Sequence, residues 1–164
     1  MSDHAAPLPA LVTRAATTDD VPAMLALLDL VYGRANVTDE VDTPAGLTRA
    51  AAGGRAVVAT SAGQVVGYVA ARPVAPDILG DGTFLVHPAA RGAGVGTALL
   101  AQMRSLVAGR WAASLFTNST AHTALDPTKR SAAAVYLRAG YVVLADTGDT
   151  VVLWLAHPKP APST

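Results

Sequence analysis

The apolar residues of this chain fall into stretches of two kinds, one spaced for strands and one for helices, and the switches between them mark the elements. Leu11 to Ala15 reads as a first strand, with Arg14 facing outward. Thr17-Thr18-Asp19-Asp20 then supplies a helix start. With Asp19 as the cap, Pro22 falls in the first turn, where its missing N–H has no partner to lose. Val21, Met24, Leu25, Leu28 and Val31 make the apolar stripe of that helix, and Gly33 ends it. A polar loop, Arg34 to Thr43, leads to a short helix from Pro44 to Ala52. Two strands follow, Arg55 to Thr60 and Gln64 to Arg72, joined by Ser61-Ala62-Gly63 as in a hairpin. Gly67 within the second strand points to a bulge or a tight approach.

Pro73 to Gly80 reads as a loop, and Asp81 or Gly82 leads into the apolar run Phe84-Leu85-Val86, which His87-Pro88 closes. After a glycine-rich turn, Val95, Leu99, Met103 and Leu106 lie on one helical stripe with Leu100 and Val107 beside it, and Gly109 stops the helix. Ala112 to Thr117 forms the next strand, followed by a polar loop, Asn118 to Pro127. Asp126-Pro127 starts a helix that runs through Lys129, Ala133, Val135 and Tyr136 to Ala139, with Gly140 as its stop. Tyr141 to Ala145 and Thr150 to Leu155 are the last strands, around a turn from Asp146 to Asp149. This order predicts an α+β fold: a single domain over residues 11–157, with a mixed central β-sheet and helices on both faces. Residues 1–10 and 158–164 are Pro- and Ala-rich tails.

Composition narrows the function. The chain has 164 residues, 51% of them apolar, enough for one domain with a real core. Its 12 basic and 12 acidic residues cancel, so no global field favours nucleic acid or an anionic membrane, and an anion must be held by local geometry. No cysteine is present, which excludes disulfides, a thiolate nucleophile and cysteine metal sites. His4, His87, His122 and His157 show no ligand spacing, so no metal is expected. The first residues lack a signal-peptide pattern and no apolar run approaches 18 residues, so the expectation is a cytoplasmic protein without a membrane span.

The chemistry is concentrated in Arg91-Gly92-Ala93-Gly94-Val95-Gly96-Thr97, set between a strand and a helix. Three glycines in five positions let the backbone come close to a ligand, and the helix beginning there turns its free N–H groups and positive dipole end toward it. Such a turn suits a pyrophosphate. A P-loop needs lysine after the last glycine, but Thr97-Ala98 follows Gly96. A dinucleotide fingerprint places its glycines directly after the strand and an acid at the end of the next one. Here five residues separate Val86 from Gly92, and Trp111 to Thr117 carries no acid.

The full string Val86-x-Pro88-x-x-Arg91-Gly92-x-Gly94-x-Gly96 resembles the acyl-CoA-binding motif of the GCN5-related N-acetyltransferase (GNAT) superfamily. Ala132-x-x-x-Tyr136-x-x-x-Gly140-Tyr141 is similar to the C-terminal motif of the same family, and the element order extends the resemblance over Leu11 to Leu155. The family often has asparagine seven residues before the tyrosine; this chain has Lys129 there, a cation for a phosphate or the pantetheine arm. The resemblance implies a GNAT-like fold in which the strands holding Phe84–Val86 and Ala112–Thr117 splay apart. It also implies acetyl-CoA as co-substrate, with the main chain of Leu85 and Val86 meeting the pantetheine. Residues 91–97, namely Arg91, Gly92, Ala93, Gly94, Val95, Gly96 and Thr97, would then hold the diphosphate.

The implied reaction is direct attack of a primary amine on the thioester. An alkylammonium of pKa ~10.4 is free base in only about one molecule in 2,500 at pH 7, so it needs a base. The departing thiolate, of pKa ~8.5, is helped by an acid. Tyr136 matches the family's acid. Asp81, with Asp77 just outside, is the carboxylate near the start of the strand before the glycine turn, where family bases tend to lie. His122 and Asp126 stand in the loop entering the last helix, and His87 reads as a cap at the strand end. Asp39, Glu40, Asp42 and Asp126 border the expected acceptor site and would favour a cationic amine, on a small molecule or on a protein or peptide. Dimers are common in such families, so a homodimer is allowed. The competing reading is an acyl-CoA-binding sensor or regulatory module of the same fold, without transfer.

Overall fold

The structure, a computed structural model, describes residues 9–33, 40–119 and 132–157. Its elements follow the predicted order: β1 (Val12–Ala15), α1 (Val21–Tyr32), α2 (Pro44–Ala52), β2 (Ala56–Ser61), β3 (Gln64–Ala75), β4 (Ile78–Val86), α3 (Val95–Val107), β5 (Ala113–Ser119), α4 (Ala132–Arg138), β6 (Val142–Asp146) and β7 (Thr150–Ala156). The strands form one sheet in the order β1-β2-β3-β4-β5-β7-β6. Only β4 and β5 pair in parallel, with α3 as the crossover between them, and every other described pair is antiparallel. The fold is thus a mixed sheet covered on both faces, as the sequence predicts. Among the described residues no helix is long and apolar enough to cross a membrane.

Two cores lie on opposite faces of the sheet. Met24 and Leu28 of α1 and Leu47 of α2 pack on Val58, Tyr68 and Leu85. Leu99 and Met103 of α3 and Tyr136 of α4 pack on Val57, Val69 and Phe116. Adjacent strand residues such as Val57 and Val58 go to different cores because side chains alternate across a strand. The α3 stripe is buried at Val95, Leu99, Leu100, Met103 and Val107, while Leu106 is only partly covered.

Local corrections concern turns and caps. Asp19 is not the cap of α1. A short 3-10 turn, Thr18–Asp20, precedes the helix, and it is Asp20 that accepts the Thr17 N–H at 2.8 Å. The expected loop from Pro73 to Gly80 is the end of a long β3–β4 hairpin, closed by Pro76-Asp77 with Asp77 at φ +61°. β2 stops pairing at Ala70, so Pro73 falls where β3 is an edge and its missing N–H costs no ladder bond to β2. β5 extends two residues further than expected, to Ser119. Gly67 fulfils both expectations. The β2–β3 register shifts beside it, and a Cβ there would lie 2.9 Å from the Leu85 carbonyl oxygen and 3.0 Å from Leu99 and Val95.

Candidate active site

β4 and β5 run together for three residue pairs only, Ile78↔Ala113, Leu79↔Ser114 and Gly80↔Leu115. Beyond them β4 stays on β3 through Val86, and β5 stays on β7 through Ser119. The two strands therefore fork, and the edges facing the gap form no ladder with each other. A bulge marks the fork. Between Thr83↔Ala70 and Gly80↔Arg72, β4 advances three residues while β3 advances two. The extra residue falls at Asp81-Gly82, and Gly82 is obligatory, since a Cβ would sit 1.8 Å from the Ala70 carbonyl oxygen. Asp81 is thus the first residue of β4 past the last pair with β5, at the apex of the fork.

An aromatic wedge fills the α3–α4 face below the gap. The Tyr136 ring lies 5.3 Å from Phe84 of β4 and 5.2 Å from Phe116 of β5, so one side chain from α4 spans both diverging strands. Tyr141 closes the cluster, 5.1 Å from Tyr136. Burial, then the neighbouring Tyr141 and Tyr32, push the Tyr136 phenol well above its ordinary value. At neutral pH it keeps its proton and is a donor. The sequence singled out Tyr136 but not Phe84 or Phe116, whose positions on the two strands nearest the gap were the available signal.

At the open end of the fork, His87 caps a 3-10 turn, Pro88–Ala90, its Nδ1 accepting the Ala89 N–H at 3.1 Å. His87 is therefore a cap, as expected. Gly92 and Gly94 take left-handed φ of +80° and +82°, and Gly94 caps α3 with no side-chain bond. The first carbonyl-bonded N–H of the helix is Ala98, to Gly94 at 3.0 Å. Among the described residues no carbonyl takes the N–H groups of Gly92, Ala93, Gly94, Val95, Gly96 or Thr97. Among the described residues nothing lies within 4 Å of a Cβ built on Gly94. Gly96 matters for packing instead. A Cβ there would meet Phe84 at 2.9 Å, so its absence lets α3 settle on β4. The Arg91 side chain is exposed at the rim.

Leu85 and Val86 lie in the forked half of β4, with Leu85 in the α1–α2 core and Val86 packed toward α3 and α4. Glu40 is engaged by Arg49 at 2.5 Å, and Asp42 accepts a hydrogen bond from the Thr83 hydroxyl. Lys129, His122, Asp126 and Asp39 fall outside the described residues. Among the described residues no group of three or more metal-ligating side chains comes together.

A forked parallel pair beside a turn of backbone amides can accept an extended ligand that carries amides and a diphosphate. The acetyltransferase (GNAT) domain matches residues 52–143, more than half of the sequence. The chain belongs to the GNAT acetyltransferase family, and acyl transfer is its class of chemistry. The structure superposes on yncA of Salmonella typhimurium, solved with its cofactor acetyl-CoA, with a TM-score of 0.72 at 17% identity, covering 94% of this chain and 98% of that one. A phosphinothricin acetyltransferase from Sinorhizobium meliloti, also solved with AcCoA, gives 0.68 at 18%, covering 93% and 94%. A ribosomal-protein-alanine N-acetyltransferase from Brucella melitensis gives 0.67 at 21%, covering 88% and 99%. No curated protein matches the sequence.

Proposed function

We propose that this chain is an N-acetyltransferase that moves an acetyl group from acetyl-CoA to a primary amine by direct attack, with both substrates held at once. The observation that carries this reading is the fork between β4 and β5, which leads into the glycine turn and the N-terminus of α3, whose first amides have no intrahelical partner. Those amides hold the diphosphate, with Arg91 adding a cation at the rim. Lys129 is assigned a supporting contact from the family motif. The main chain of Leu85 and Val86 binds the pantetheine and the thioester carbonyl as an added strand would. Bound acetyl-CoA supplies an activated acyl group.

Asp81 at the fork apex takes the proton of the amine as the C–N bond forms. The Tyr136 phenol donates its hydrogen bond to the sulfur as the C–S bond breaks. With its pKa raised by burial, it stabilises the leaving thiolate chiefly as a donor that keeps its own proton. The acceptor is an amine on a small molecule, peptide or protein. Thermal unfolding with ligands tests the cofactor assignment. Saturating acetyl-CoA at about 100 times its Kd adds about 2.7 kcal/mol and raises the melting temperature by several degrees, while ATP and NAD do not. Stabilisation by NAD alone overturns it.

A further inference from the structure

At the end of β4 away from the glycine turn, three arginines converge on a cavity of about 310 Å³ between α2 and β3. Arg49 comes from the last turn of α2, Arg55 from the residue before β2, and Arg72 from the stretch of β3 that β2 no longer pairs with. Arg72 stands across the ladder from Gly80, whereas Gly67 faces Val86 near the glycine turn, so the two places lie at opposite ends of the strand. Among the described residues that line the cavity, Glu40 is the one acid. Three positive charges against one negative leave an excess of two around this space.

The Arg55 guanidinium is held in place without a counter-charge. Its Nη1 donates to the Ala71 carbonyl at 3.3 Å and its Nη2 to the Arg49 carbonyl at 3.0 Å, bonds that orient the head but leave its charge uncompensated. Gly53 makes room for it, since a Cβ there would lie 2.8 Å from its Nε. At the same turn Arg110 donates to the Gly53 carbonyl at 3.0 Å, and a Cβ on Gly54 would lie 2.6 Å from its Nη1. Burial first, and then the charges of Arg110 and Arg49, lower the Arg55 pKa, as expected where cations gather with too little acid. Glu40 compensates only in part. It pairs with Arg49 at 2.5 Å while both side chains are mostly exposed, and a surface pair of that kind is weak enough to yield to a better-placed anion.

We propose that this corner binds a phosphate-class dianion, inorganic phosphate or the phosphate group of a small monoester, with Arg49, Arg55 and Arg72 as its ligands and Glu40 displaced. A phosphate monoester carries close to two negative charges at neutral pH and three strong acceptor oxygens. These match the local excess of charge and the forked N–H donors of guanidinium groups. The site is separate from the turn assigned to the diphosphate of acetyl-CoA and independent of the acetyltransferase reading.

The test is calorimetric titration of inorganic phosphate, and separately of glycerol 3-phosphate, into the full chain at constant ionic strength, with and without saturating acetyl-CoA. One equivalent is expected to bind under both conditions, because the glycine turn takes no part. Arg49→Gln and Arg72→Gln each weaken binding about tenfold or more. Glu40→Gln removes the competing carboxylate and tightens binding about threefold or more. Arginines that serve only to brace the turn would not respond to Glu40→Gln in that direction. Tighter binding of the glycerol ester assigns the site to a monoester, and equal or weaker binding assigns it to the free ion. Absence of binding, its loss when acetyl-CoA is present, or wild-type affinity in all three variants overturns the inference.

Discussion

Tyr136 shows how a single residue is defined by what surrounds it. Its ring is held by Phe84, Phe116 and Tyr141, and a phenylalanine would keep all three ring contacts. Tyr136→Phe therefore removes the donor without emptying the wedge. Turnover is expected to fall about 100-fold, with acetyl-CoA affinity unchanged within about twofold. Unchanged kcat removes Tyr136 from the mechanism. Asp20 is a structural counterpart. It receives both Arg14 nitrogens, at 2.7 and 2.8 Å, and the Thr17 N–H at 2.8 Å. The hydrogen bond from Arg14 leads the effects that hold its pKa at about 2, below the ordinary 3.8. A lowered carboxyl pKa stabilises the fold above about pH 4, and that contribution is lost as pH falls through about 2. Because Arg14 is half exposed, Asp20→Asn should cost only about 1–2 kcal/mol at pH 7. Urea unfolding at pH 7 and near pH 2 checks this. A gap that fails to shrink in acid contradicts it.

Between elements, glycines set the geometry of the fork, and each does so for its own reason. Gly94 permits a left-handed cap, Gly96 a close seat for α3 on Phe84, and Gly82 the bulge at which β4 parts from β5. The sequence pattern marked 92–96 as a unit but could not separate these roles, because the Phe84 contact exists only once helix and strand are packed. Gly82 carried no signal beyond its place near a strand start. Gly82→Ala drives a methyl into the Ala70 carbonyl, which is backbone and cannot swing away. We expect a loss of about 3 kcal/mol or more, read from chemical denaturation, together with weakened acetyl-CoA binding as the fork distorts. Wild-type stability in this variant would show that the bulge is soft and carries no information about the fork.

Across the whole molecule, the far end of the sheet is tied by a buried polar bridge. The His157 N–H donates to the Ala112 carbonyl at 2.7 Å, and its Nε2 lies 2.7 Å from the Ser114 hydroxyl. The bridge joins β5 to the residue that follows β7. Burial, and then Arg104 of α3, lower the His157 pKa below the ordinary 6.5. A histidine lowered in the folded state takes up its proton more readily when unfolded. Stability therefore declines as pH drops below about 6.5, until the lower folded-state value is passed. His157→Gln should flatten the stability profile between about pH 7 and 5, as followed by urea midpoints. An identical slope in the variant places the acid sensitivity elsewhere.

What the sequence determined by itself is whatever depends on neighbours along the chain. The order of strands and helices, the cap at His87, the helix of Pro44–Ala52 and the glycine turn all rest on spacings of a few residues. Local sterics and backbone hydrogen bonding enforce those spacings whatever lies across the sheet. The hairpin turn at Pro76-Asp77 escaped because Pro73 and Pro76 look like loop residues until β3 is known to be an edge there. Only the tertiary structure decided where β4 leaves β5, that Thr83 meets Asp42 from 41 residues away, and how far burial raises Tyr136. Those outcomes depend on which distant segments share a space and how much water they exclude, and no spacing along the chain encodes either.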